Sequence, residues 1–180
     1  MARLNHCLHG VRVLDLSSYL PGPFASLLLA GFGAEVLKIE PPQGDGMLQL
    51  GPRDANGRPL FHAALNAGKT ICRLDLKADE GRTALLSLAA QADVLIEGFR
   101  PGVMQRLGLG PETMRAENPR LITIATLPVT GAVVMVGMTG QRSAPGRVCT
   151  GGLGQAAVTG AAASLMQVID PMTRGKGRLS

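Results

Sequence analysis

Residues 10–42, GVRVLDLSSYLPGPFASLLLAGFGAEVLKIEPP, decide the fold. Val11–Ser17 (VRVLDLS) is a short β-branched and leucine-rich run, bounded by Gly10 and by the turn Pro21-Gly22-Pro23, which is the pattern of a strand. Phe24–Phe32 follows as a helix. Pro23 suits its first turn, where an N–H would find no helical partner anyway, and Gly33 ends it. Ala34–Glu40 (AEVLKIE) is a second strand, stopped by Pro41-Pro42. A strand–helix–strand unit of this length predicts parallel pairing, because the helix carries the chain back to the starting edge.

The same rhythm continues outward. Residues 43–59 are a loop of Gly, Pro, Asp and Asn, and Leu60–Ala67 is a short helix. Thr70–Leu76 (TICRLDL) is a strand. Ala78–Gln91 is an amphipathic helix with Asp79 and Glu80 in its first turn, where acids suit the helix dipole. Its Leu85, Leu86 and Leu88 are expected to face the sheet. Asp93–Glu97 and Leu121–Thr126 are further strands, with short helices over Val103–Leu107 and Pro111–Glu117 between them. This predicts an α/β domain over residues 1–127. Residues 128–180 are a glycine-rich continuation with little periodicity, a small-residue helix over Gln155–Ile169 and a basic tail, Arg174–Arg178.

Composition excludes several classes. Hydrophobic residues make up 46% of the chain, enough for a globular core, but aromatics are 3%, so Leu, Val, Ile, Ala and Met must build it. Of the net charge of +5, +4 comes from residues 128–180, where five Lys/Arg stand against Asp170 alone. These basic residues are not interleaved with aromatics, so no nucleic-acid platform is expected. Cys7, Cys72 and Cys149 are widely spaced and odd in number, which argues against a disulfide framework or structural zinc. His6-Cys7-Leu8-His9 has too few ligands nearby for a metal site, and none is expected. Leu121–Gln141 and Gly151–Ile169 are uncharged. Pro128 and Gly131 interrupt the first and the second is weakly hydrophobic, so both read as buried elements and no membrane span is expected. No signal peptide is visible at the start, and the cytoplasm is the expected compartment.

Parallel sheets bind ligands at the carboxyl ends of their strands, here the loops 17–23, 40–47, 76–79 and 97–102. The familiar GxGxxG, GxxxxGK[ST], GxSxG and HExxH patterns do not occur. Ser17–Pro23 reads equally as a phosphate loop or as a tight turn without a ligand. Lys77 reads as a phosphate contact or a solvated lysine, and Arg100 and Arg106, around Pro101-Gly102, are open in the same way.

Taken together, residues 10–42 and LDLKADEGRTALLSLAAQADVLIEGFRPGVMQRLGLGPETMRAENPRLI resemble the class III CoA-transferases and the related alpha-methylacyl-CoA racemases. The resemblance runs from residue 10 to 127. It implies a Rossmann-like parallel sheet with flanking helices, a smaller second domain, an interlaced homodimer, and coenzyme A or acyl-CoA as a substrate rather than a tightly bound cofactor. Carried over position by position, Leu20, Pro21, Leu74, Lys77, Gly98, Phe99, Arg100 and Arg106 are the implied CoA contacts.

The chain departs from the family pattern in three places. Pro41 stands where formyl-CoA transferases often carry arginine. From Pro128 the sequence passes directly to VTGAVVMVGMTGQRSAPGR, without the GYGQTGP-like loop and the GHD- or YD-containing segment. An internal deletion is therefore expected, removing the transferase aspartate and the racemase histidine. Thr150 stands where the racemase has its second acid, and Asp170 precedes the GKG turn. No catalytic residue is assigned, and the family's small domain is expected to be missing. The expected function is that of an acyl-CoA transferase or racemase relative with impaired catalysis, or else a non-catalytic CoA-binding remnant or a fragment that depends on a partner.

Overall fold

A computed structural model of the chain describes residues 6–129 and 132–139. Six strands, β1 (Arg12–Leu16), β2 (Glu35–Glu40), β3 (Thr70–Arg73), β4 (Val94–Glu97), β5 (Ile122–Val129) and β6 (Ala132–Thr139), form a sheet in the order β3-β2-β1-β4-β5-β6. The first five are parallel, and β6 returns antiparallel to β5. The helices are α1 (Pro21–Gly31), α2 (Leu60–Leu65), α3 (Asp79–Ala89), α4 (Val103–Arg106) and α5 (Pro111–Glu117), with a 3-10 turn at Gly46–Gln49. The chain winds outward from β1 to β3, then crosses back to lay β4 and β5 on the other side of β1. The strand order thus reverses between β1 and β4.

Both faces of the sheet are covered, which is why its strands read as almost continuous apolar runs. Val13, Val36, Val94, Ile96 and Ile124 pack on one face with Leu8 and with Leu29 of α1. Leu14, Leu16, Ile39 and Leu95 pack on the other with Leu85 and Ala89 of α3 and Met114 of α5. Leu85 is fully buried, while Leu86 and Leu88 are partly buried against the same cluster.

Differences from the sequence expectation lie at element ends. Helix α1 begins at Pro21, three residues before Phe24, because two prolines fit its first turn at no hydrogen-bond cost. The Phe24 N–H already closes a helical turn onto the Leu20 carbonyl at 2.9 Å. Strand β3 ends at Arg73 although the Leu74 N–H still reaches the Glu40 carbonyl, since Asp75 then turns the chain by accepting the Lys77 N–H at 3.0 Å. Strand β5 runs past Thr126 to Val129, and Ala132–Thr139 (AVVMVGMT) is a strand where little periodicity was expected. Pro128 lies beyond the β4–β5 register, which ends at Glu97↔Ala125, so its missing N–H costs that ladder nothing. The expected helix Gln155–Ile169, the basic tail, Cys149, Thr150 and Asp170 lie outside the described residues.

Leu95 is central, with 0% exposure. Leu95→Ala is expected to lower unfolding free energy by about 3 kcal/mol, within the roughly 2–5 kcal/mol range for buried leucines. Denaturant titration should show a lower midpoint at unchanged slope. A loss below about 1 kcal/mol would contradict this core.

Candidate functional site

In open parallel sheets the carboxyl edge where strand order reverses is where a ligand crevice forms. Its walls are the β1–α1 loop, which leads into the amino end of α1, and the turn after β4. Gly22 approaches so closely that a Cβ there would overlap the Ser17 side chain. A Cβ on Gly98 would lie 3.3 Å from Thr126 Oγ1 and 3.4 Å from Ser17 Cβ. Residues from or just beyond three strands, β1, β4 and β5, therefore converge here. Thr126 closes the third side, its hydroxyl donating to the Glu97 carbonyl at 3.1 Å. The amino end of α1 favours negative charge. Pro21 and Pro23 carry no amide hydrogen, which leaves Gly22 as the N–H donor among the first three helical positions.

The expected contact residues fall into two groups. Leu20 caps α1 and is 58% exposed, and Pro21 is the first helical residue, both at the mouth of β1. Gly98, Phe99 and Arg100 form the turn after β4. There the Phe99 N–H donates to Glu97 Oε2 at 2.7 Å and the Arg100 carbonyl accepts the Val103 N–H at 3.1 Å. Arg100 is exposed, and so is Arg106 on α4. Leu74 and Lys77 stand apart: they follow β3 at the sheet edge, two strands from β1, roughly 10 Å at ordinary strand spacing. Leu74 is partly buried against the core, and Lys77 is exposed beside the amino end of α3. Among the described residues, Lys77, Arg100 and Arg106 form no ion pair with a carboxylate.

Sequence reasoning missed a buried charge cluster directly beneath this edge. Asp15, Lys38 and Glu40 are 0%, 0% and 2% exposed, on the α1-facing side of β1 and β2. Asp15 accepts the hydroxyls of Ser17 and of Ser26 on α1, and pairs with Lys69 Nζ at 3.3 Å. Lys69 also donates to the Pro23 carbonyl at 2.8 Å and to Asn66 Oδ1 at 3.1 Å. Lys38 pairs with Asp45 at 3.2 Å, and Glu40 holds His62 Nε2 at 2.7 Å. A signal was present: Val36, Lys38 and Glu40 alternate with apolar Leu37 and Ile39, and in a sheet covered on both faces that side must be buried too.

Burial drives the Lys69 pKa below its ordinary 10.5, with the Asp15 carboxylate opposing that shift. Burial likewise raises the Glu97 carboxyl above 4.5, against the lowering effect of the Phe99 N–H. Glu97 ends β4 at the carboxyl edge, and Lys69, which precedes β3, reaches Asp15 with its ammonium; desolvated titratable groups of this kind mark candidate sites. Among the described residues, no group of three or more His, Cys, Asp or Glu is placed to hold a metal, and no helix is long and apolar enough to cross a membrane.

Comparison with known proteins agrees with this fold. The model of the family described as CoA-transferase family III matches residues 8–174. Succinyl-CoA–D-citramalate CoA-transferase of Chloroflexus aurantiacus is 44% identical over 118 residues, 65% of this chain and 29% of that protein. Alpha-methylacyl-CoA racemase of Mus musculus is 44% identical over 115 residues, 64% of this chain and 26% of that protein. The crystal structure of a CAIB/BAIF family protein from Brucella suis superposes with a TM-score of 0.64 at 37% identity, covering 67% of this chain and 33% of that one. The chain thus spans about a third or less of each of these three relatives.

The raised Glu97 pKa carries a testable sign. The folded chain binds this proton more tightly than the unfolded chain, so Glu97 lowers stability as pH rises from 4.5 through its elevated pKa. Glu97→Gln keeps an oxygen for the Phe99 N–H and cannot ionise. Thermal melts across pH should show the variant gaining on the wild type above pH 4.5, with a constant difference below it. A difference that stays constant across the range would contradict the raised value.

Proposed function

Since the chain belongs to CoA-transferase family III, we propose that it binds coenzyme A or a CoA thioester at the carboxyl edge of the sheet. The convergence of Gly22 and Gly98 on Ser17 and Thr126 carries this reading. It brings peptide backbone and the amino end of α1 to where a diphosphate would be received. Leu20, Pro21, Gly98, Phe99 and Arg100 frame that position. Arg106 lies on the next helix, and Leu74 and Lys77 extend the contact surface along the strand ends toward β3. Arg100, Arg106 and Lys77 would meet phosphates as exposed cations, giving a binding energy that salt weakens. The names of the relatives, which include CoA-transferases and an acyl-CoA racemase, support a thioester as the ligand class.

On chemistry, the reading is binding without turnover by this chain alone. Residues 118–169 contain no Asp, Glu or His. Acyl transfer through an anhydride needs a carboxylate nucleophile, and proton exchange alpha to a thioester needs an acid–base pair within hydrogen-bond reach. Cys149 is a nucleophile by type, but its sequence neighbours Val148 and Thr150 offer nothing to lower its pKa.

Calorimetry with CoA and acetyl-CoA on the purified chain tests both parts. Binding is expected, and Lys77→Ala and Arg100→Ala should each weaken it about two- to fivefold, the size of exposed charge pairs. No CoA transfer or racemisation is expected in the same preparation. A folded chain that binds neither ligand would overturn the site. Turnover abolished by Cys149→Ala or Asp170→Asn would overturn the absence of catalysis.

A further inference from the structure

The β1–α1 loop holds an unfavourable conformation at the rim of the crevice. Tyr19 has φ 65°, in the left-handed region that a tyrosine rarely occupies. Something must hold it there, and buried charge on the neighbouring strand does so. Lys38 Nζ donates to the Ser17 carbonyl and pairs with Asp45 Oδ2 at 3.2 Å, with the lysine and aspartate side chains 0% and 1% exposed. The other carboxylate oxygen, Asp45 Oδ1, accepts the Tyr19 N–H at 3.3 Å and the Met47 N–H at 2.9 Å. The Tyr19 ring lies across Gly46, where a Cβ would be 2.6 Å from its hydroxyl and 2.8 Å from Cζ.

Building on the CoA reading above, we infer that Lys38 and Asp45 are positioning residues, a buried latch that sets the β1–α1 loop for the ligand. The latch grips the loop at two points, the Ser17 carbonyl and the Tyr19 N–H, immediately before Leu20, Pro21 and the Gly22 amide. An apolar pair of the same volume would fill the space but could not direct a carbonyl and an N–H. The same carboxylate caps the 3-10 turn after β2, so the loops following β1 and β2 move as one body. Releasing Asp45 lets Tyr19 relax toward negative φ, and every group downstream that faces the crevice shifts with it.

The chain supplies its own reporter. Tyr19 is its one tyrosine and there is no tryptophan, so tyrosine fluorescence anisotropy and near-ultraviolet circular dichroism read this loop. CoA is titrated by calorimetry into the full chain and two variants. Asp45→Ala is expected to raise the CoA Kd about tenfold and loosen the Tyr19 signal while cooperative unfolding persists. The double variant Lys38→Met/Asp45→Val removes both charges together, leaves neither buried alone, and offers the Ser17 carbonyl and the Tyr19 N–H no partner. It should weaken CoA binding to a similar degree, and it decides the matter where Asp45→Ala does not fold. A folded chain of either variant binding CoA within about twofold of wild type overturns the latch and leaves the CoA site standing. A wild-type chain that binds no CoA overturns the CoA site, and the latch with it.

Discussion

The buried ion pair between Lys38 and Asp45 is the constraint on which the carboxyl edge of this sheet depends. Desolvating a lysine and an aspartate costs several kcal/mol per ion, which only close pairing and further hydrogen bonds offset. The fold provides them. Lys38 also reaches the Ser17 carbonyl, and Asp45 receives two backbone N–H groups. Beside them Asp15 binds hydroxyls from its own loop and from α1, and draws Lys69 across from the segment before β3. Among the described residues no buried side-chain nitrogen or oxygen lacks a partner. Removing one partner of such a pair costs about 3–5 kcal/mol, because the other charge stays buried. Loops after β1 and β2, the helix between them and the entry to β3 are thereby tied to one polar centre.

That centre divides the sheet by depth. On the α1-facing side, the amino halves of the strands contribute Val13, Val36 and Val94 to a dry core, and the carboxyl halves of β1 and β2 contribute Asp15, Lys38 and Glu40. The dry half provides most of the stability, through burial of apolar surface. The polar half orients backbone at the edge where the strand order reverses. Proline and glycine finish the work: Pro21 and Pro23 start α1 early, and Gly22 and Gly98 let two chain segments close on Ser17 and Thr126.

Much of this was legible in the chain. The alternation of short apolar runs with helical segments fixed five parallel strands and their helices to within a few residues, because period and punctuation are local properties. The loops at the carboxyl ends followed from the parallel reading. Three things were not legible. Ala132–Thr139 was obscured by its glycine-rich surroundings, although Val133, Val134 and Val136 carry a strand signal. Lys69 carried no local signal, since its partner Asp15 is far away in sequence. Leu74 and Lys77 grouped with Leu20 and Gly98 by resemblance, but β3 lies at the sheet edge and the others flank the reversal between β1 and β4.

By itself, then, the sequence determined the α/β class, the parallel pairing and the family, since these rest on residue type and spacing along the chain. Only the tertiary structure decided that β1 and β4 are neighbours, that Gly22, Gly98, Ser17 and Thr126 meet, and that Lys38 is buried against Asp45. Those facts depend on strand order and on which face each strand turns inward. Both are settled by packing among residues distant in sequence, and no local pattern carries that information.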